Sequence, residues 1–127
     1  MGLSREQSKA SYRVAKYLKS KGYDIIPINP FADQILDQKC FKTLLNVPED
    51  IQKKIEVVDI FRLPKDVSTI VEEAIQIRKK HWKSYVIWMQ LGIVNKEAAK
   101  RGVEASFTVI MDRCMMREHK RISRSKP

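Results

Sequence analysis

The chain has 127 residues, 43% hydrophobic and 31% charged, which is enough for one domain with a real core and too little for two. That balance excludes a disordered chain, and no apolar run approaches the roughly 20 residues needed to cross a bilayer. The formal charge of +10 points to polyanionic partners: nucleic acid, an anionic membrane surface or a multiply phosphorylated cofactor. No apolar signal core follows Met1, so a cytoplasmic setting is expected. Met1-Gly2 fits the start of a myristoylation signal, but Glu6 stands where that signal needs Ser or Thr. Cys40 and Cys114 lack metal-ligand spacing and read as reduced thiols.

Gly2-Leu3-Ser4 leads into a polar segment, and from about Ser11 the pattern turns helical, with Val14, Ala15 and Leu18 on one face. Gly22 stops this helix just after Lys19 and Lys21, whose charges suit the negative end of its dipole. Ile25-Ile26-Pro27-Ile28 reads as a strand ending at Asn29-Pro30. Pro27 cannot donate a ladder hydrogen bond, so that side of the strand is expected to be free or distorted. In residues 31–55 the signal is weaker: Ile35-Leu36 and Leu44-Leu45 suit short helical turns, Cys40-Phe41 a very short strand, and Pro48 a break. Val57-Val58-Asp59-Ile60-Phe61 is a compact strand, closed by Arg62-Leu63-Pro64. The long helix that follows is amphipathic, with Val67, Ile70, Val71 and Ala74 in register, and ends in Arg78-Lys79-Lys80.

Residues 85–95 organise the rest. The stretch from Tyr85 to Met89 is nearly unbroken in apolar character, as in a strand buried on both faces of a parallel sheet. Gln90 and Gly92 then open a loop, and Asn95 is placed to cap a short helix over 96–100. A strand at Phe107-Thr108-Val109-Ile110-Met111 follows, with Asp112 as the expected cap of a last helix running into a basic tail from about Arg117. Strands alternating with helices predict an α/β fold with a mainly parallel sheet and right-handed crossovers. Ligands of such folds sit at the carboxyl ends of the strands.

With these residues in order, the sequence resembles the small CoA-binding proteins, single Rossmann-like domains related to the CoA-binding domain of the succinyl-CoA synthetase α subunit and of NDP-forming acyl-CoA synthetases. The likeness rests on Gly2-Leu3-Ser4, on Ser11 to Leu18, on Pro27-Ile28-Asn29-Pro30 and on Val57 to Arg62. It continues through Val71-Glu72-Glu73-Ala74, Trp88-Met89-Gln90-Leu91-Gly92-Ile93, Asn95 to Ala99 and Met111-Asp112-Arg113-Cys114. The resemblance implies one Rossmann-like three-layer domain over residues 1–127 that binds coenzyme A or an acyl-CoA. The phosphates would lie near Gly2, Ser4 and Ser11, the nucleotide against Asn29, Pro30, Phe61 and Arg62, and the pantetheine arm towards Met89, Gln90 and Gly92. Family members carry a hydrophobic strand ahead of the Gly2 position. The chain is therefore expected to lack its first strand, as though shortened at the N-terminus. Asp37 also stands where the family commonly has glycine.

The residues themselves bear on several of these roles. Asn29 ends the second strand where an NAD site usually carries Asp or Glu; being neutral, it does not repel a 3′-phosphorylated ribose, which favours CoA. Gly2-x-Ser4 offers backbone amides and a hydroxyl to phosphate, although a terminal tail is the plainer reading of so short a motif. Trp88 and Met89 suit a core better than a pocket. Cys114 reads as a buried, inert thiol, although a helix N-terminus beside it would favour the thiolate and a mixed disulfide with CoA. His81 and His119 have no acid or nucleophile at a recognisable spacing, no general base or metal set is legible, and a binding domain is expected rather than an autonomous enzyme. Two other functions stay open. One is a basic nucleic-acid-binding protein, disfavoured because no aromatic residue interleaves with the 117–126 charges. The other is the CoA-binding component of a multi-subunit acyl-CoA synthetase, which would need a partner enzyme; a homo-oligomer is equally compatible with the sequence.

Overall fold

A computed structural model describes Gly2, residues 9–81 and residues 86–125. The expected α/β architecture is present. Three parallel strands, β3 (Val57–Ile60), β4 (Val86–Met89) and β5 (Thr108–Ile110), form a sheet in that order. The register pairs Val57 with Val86 and Ile60 with Met89, then Val86 with Thr108 and Trp88 with Ile110. The crossovers are α3 (Pro64–His81) and α4 (Lys96–Glu104), which pack against each other. Val67, Ile70, Val71 and Ala74 of α3 are all buried, as their spacing predicts. With Ile60, Ile87, Met89, Ala98 and Phe107 they form the main core. Gly102 of α4 lies tight against the sheet: a Cβ there would stand 3.0 Å from the Val109 side chain.

The helix α1 (Ala10–Ser20) ends as expected. Gly22 takes φ +94°, its N–H donates to the Lys19 carbonyl and that of Tyr23 to the Leu18 carbonyl, closing both orphaned acceptors. The last helix, α5 (Met115–Ser125), packs on α1, where the Tyr17 hydroxyl meets His119 Nδ1 at 2.8 Å. The basic segment from Arg117 is helical as far as Ser125, and its Arg117, Lys120 and Arg121 are exposed.

Several local expectations are corrected. Segment 25–28 is not a strand; only Ile28 forms a bridge, parallel, to Phe41. Phe41 N–H donates to the Pro27 carbonyl and Asn29 N–H to the Phe41 carbonyl, while Pro27 has no N–H to extend the ladder. Ile35-Leu36 does not start a helical turn. Strands β1 (Gln34–Ile35) and β2 (Gln38–Lys39) form an antiparallel hairpin, turned by Leu36 and Asp37 at φ +51° and +61°. Positive φ at both central residues is the type I′ requirement, which Asp meets and Leu seldom does. Asp37 thus does the work for which glycine is common. A 3₁₀ turn at Leu44–Asn46 and a short α2 (Glu49–Gln52) begun by Pro48 complete the element order. Among the described residues the parallel sheet holds β3, β4 and β5 alone, and segment 25–28 is not paired with β3. No helix among them is long and apolar enough to cross a membrane.

Candidate functional site

Because β3, β4 and β5 are parallel, their carboxyl ends share one rim of the sheet, and the loops that leave them are knit together. Gln90 N–H donates to the Ile60 carbonyl, and Arg113 N–H reaches the Met89 carbonyl at 3.4 Å. The Gln90 side chain, buried, donates to Asp59 Oδ1 at 2.5 Å and accepts from Met115 N–H at 3.3 Å. Gln90 thereby joins β3, β4 and the start of α5 through one amide. Gly92 takes φ +83° with open space where a Cβ would stand, and its N–H donates to Asp112 Oδ1 at 2.7 Å. Asp112, itself at φ +56°, is thus a clamp on the Gly92 loop, which corrects its expected role as the cap of α5. Asn95 does cap α4: its Oδ1 accepts from Ala98 N–H at 2.9 Å, while its Nδ2 donates to the Pro64 carbonyl and ties the loop to the start of α3.

Gly2 belongs to the same rim. Its N–H donates to the Ile28 carbonyl at 3.0 Å. A Cβ on Gly2 would stand 2.6 Å from the Phe61 carbonyl oxygen and 2.9 Å from Arg62 Cδ. With φ +73°, this is a position for glycine on both conformational and steric grounds. Gly2 therefore brings the Asn29 and Phe61-Arg62 turns to one place. Asn29 is half-buried, and its Oδ1 accepts from Phe31 N–H, which fixes the turn through Pro30. Arg62 reaches Asp66 at 3.4 Å and stays about a third exposed, so its guanidinium keeps donors facing solvent. Helices α3, α4 and α5 all begin at this end, where exposed amides favour anionic groups.

The other sequence-derived residues fall as follows. Ser11 is buried on α1 and faces a cavity beside β3. The Met89 side chain is wholly buried in the core, so the rim receives only its backbone. Ser4 lies outside the described residues. Cys114 is half-buried immediately before α5 instead of buried.

Two features escaped the sequence reading. Phe31, Leu63 and Leu91 are exposed at 82%, 61% and 56%, each within three residues of a turn at this rim. Large apolar side chains left in water where strands end suit the flat or flexible parts of a ligand, and their place just after Asn29-Pro30, Phe61-Arg62 and Gln90 was the available signal. The second is Asp59. Burial raises its carboxyl to about 6, against the opposing pull of the Gln90 hydrogen bond. An acid inside the run Val57-Val58-Asp59-Ile60 was the visible sign.

Comparison with known proteins decides the family. The model of the CoA binding domain matches residues 1–120. The chain belongs to the CoA-binding domain family. Its relatives include the uncharacterized protein YneT of Bacillus subtilis, 34% identical over 119 residues, which are 94% of this chain and 82% of that one. An ADP-forming acetate–CoA ligase of Methanocaldococcus jannaschii is 38% identical over 65 residues, 51% of this chain but only 9% of the ligase. Among solved structures, a hypothetical protein of Pyrococcus horikoshii superposes with a TM-score of 0.84 at 39% identity, over 96% of this chain and 80% of its own. A protein from Thermus thermophilus gives 0.84 at 30% identity, over 96% and 86%. Membership in this family assigns the chain a CoA-related role.

Proposed function

We propose that the chain binds coenzyme A or an acyl-CoA, noncovalently, across the carboxyl ends of its strands. The observation that supports this most is the pinning of Gly2 between the Ile28 carbonyl and the Phe61-Arg62 turn. It gathers backbone amides, the neutral Asn29 and an arginine on one rim, in a chain that matches the CoA binding domain. In this reading Gly2, Ser4, Ser11 and Arg62 serve the phosphates, Asn29 and Pro30 with Phe61 border the nucleotide, and the Met89 backbone, Gln90 and Gly92 line the path of the pantetheine arm. Residues 1–127 act as one binding unit in the cytoplasm. The nucleotide-binding character follows from the adenosine part of CoA. A role as the CoA-binding component of a synthetase is the second reading, favoured by the match to the acetate–CoA ligase. It expects CoA-dependent acyl transfer only when partner subunits are added.

The test is a thermal-shift series with CoA, dephospho-CoA, NAD and ATP. A ligand at about 100 times its dissociation constant stabilises the native state by roughly 2.7 kcal/mol. CoA is expected to give the largest shift, with dephospho-CoA behind it and NAD without effect. Equal responses to CoA and NAD, or none to either, would overturn the reading.

A further inference from the structure

The formal charge of +10 is not spread evenly over the chain. Residues 9–21, which hold α1, contain five lysines and arginines and no acid, and α5 contains four against Glu118 alone. These two stretches carry eight of the ten net charges, while elsewhere sixteen bases nearly balance fourteen acids. Because α1 and α5 pack on each other, the excess is gathered on one helix pair. Arg13, Lys16, Lys19 and Lys21 are exposed on the first helix and its end, and Arg117, Lys120 and Arg121 on the second. Helices α3 and α4, by contrast, mix their signs and pair across, Arg101 with Glu72 at 2.9 Å.

Spacing within each helix adds to this. Arg13, Lys16 and Lys19 follow at three-residue steps, and Arg117, Lys120, Arg121 and Arg124 at steps of three and four. Like charges so placed destabilise a helix, and Glu118 offsets only part of this by pairing with Arg121 at 2.8 Å. Between the helices the charges converge on aromatic rings. Lys21 and Lys120, from different helices, hold their ammonium groups 5.6 and 5.2 Å from the centre of the Tyr17 ring, whose hydroxyl meets His119. Gly22 turns the chain back so that Tyr23 stands edge-on to His119, ring centres 6.0 Å apart, and 49% exposed. Asp24 follows it and ends the acid-free stretch. No aromatic residue interleaves with the 117–126 charges in sequence; the fold brings Tyr17 and Tyr23 to them from α1 and the turn after it.

We propose that the face made by α1 and α5 binds single-stranded nucleic acid. The exposed lysines and arginines of both helices meet the phosphates and Tyr23 offers its ring to a base, the combination that sequence-tolerant binding of single strands uses. Tyr17 is a positioning residue that holds His119 and the two ammonium groups over its ring. A membrane surface fits less well. Interfacial helices expose a broad apolar face, and among the described residues of α1 and α5 Ile122 is the one large aliphatic side chain left exposed. This inference goes beyond CoA binding and uses none of the rim residues.

The probe is a fluorescein-labelled oligouridylate of about 12 nucleotides, followed by fluorescence anisotropy with the full chain between about 50 and 200 mM NaCl. Saturable binding is expected, with a Kd on the order of 10 µM at about 100 mM salt and a log–log salt slope near about −3, as for roughly four phosphate contacts. Lys21→Gln combined with Lys120→Gln should make that slope shallower by about 1.4. Tyr23→Ala should weaken binding about tenfold at every salt concentration, and Tyr23→Phe should bind as the native chain does. Lys100→Gln, on α4, should change neither quantity. All these side chains are exposed, so the unfolding midpoint should stay where it is. Four outcomes would overturn the proposal: no saturable binding, a slope unchanged without Lys21 and Lys120, equal affinities of the Tyr23→Ala and Tyr23→Phe variants, or a duplex of the same length bound as tightly. Binding to phosphatidylserine vesicles but not to the oligonucleotide would make this a membrane face and also overturn it. Saturating CoA should leave the oligonucleotide bound; its displacement would give the face to the CoA phosphates, and the proposal would fall.

Discussion

The two flanks of β3 are built from similar residues and behave differently. On the β4 side Ile60, Ile87 and Met89 are wholly buried, and two crossover helices close the sheet. On the other side Ile25 and Ile26 stay half-buried, segment 25–28 forms a single bridge, and a cavity of about 860 Å³ intervenes. The difference teaches that β-forming composition makes a strand only where a neighbour supplies the other half of the ladder. Beside that open flank the rim is held by Gln90, Asp112 and Asn95, which fix its loops.

The largest effect should come from truncating matched residues on the two flanks. Ile87→Ala on the closed side is expected to cost about 2–5 kcal/mol in urea unfolding, and Ile26→Ala on the open side under about 1 kcal/mol. Similar costs would show that the two flanks are equally packed.

Asp59 sits on the strand between them and gives a pH signature. Its native carboxyl is raised to about 6 from an ordinary value near 3.8, chiefly by burial. The native state therefore holds an extra proton between about pH 4 and pH 6, and stability rises as pH falls through that window and is lowest above it. Asp59→Asn keeps an acceptor for Gln90. It should raise stability by up to about 3 kcal/mol at pH 7.5 and flatten the profile between pH 6 and 4. An unchanged slope would remove burial as the cause.

Smaller effects belong to the rim. Arg62→Ala should weaken CoA binding about tenfold, equivalent to about 1.4 kcal/mol, with little change in the unfolding midpoint of the free protein. Asn95→Ala should cost about 1 kcal/mol of stability, read as a lower urea midpoint with the same slope.

The legible part of the fold was the part whose signals are local and mutually consistent. In α3 the 3.6-residue spacing of Val67, Ile70, Val71 and Ala74 coincides with burial, and Asn95 announced its helix through its own side chain. Segment 25–28 was misread because its conformation depends on a neighbouring strand that periodicity cannot supply. The hairpin at 34–39 was missed because Leu36 and Asp37, rather than an Asn-Gly pair, hold its positive φ angles. At the rim, Gly2, Asn29 and Arg62 were legible as residue types in turns, and the structure brings them together. Asp112 was read as a helix cap because its partner, Gly92, is distant in sequence and only the fold brings the two side by side.

The most direct test of the binding rim is an NMR titration of the protein with CoA, following backbone amides. The account predicts saturable shifts concentrated at Gly2, Asn29, Phe61, Arg62, Gln90 and Gly92, with Thr43 and Lys80 unmoved. Shifts confined to the far end of the sheet, or to the basic face of α5, would contradict it.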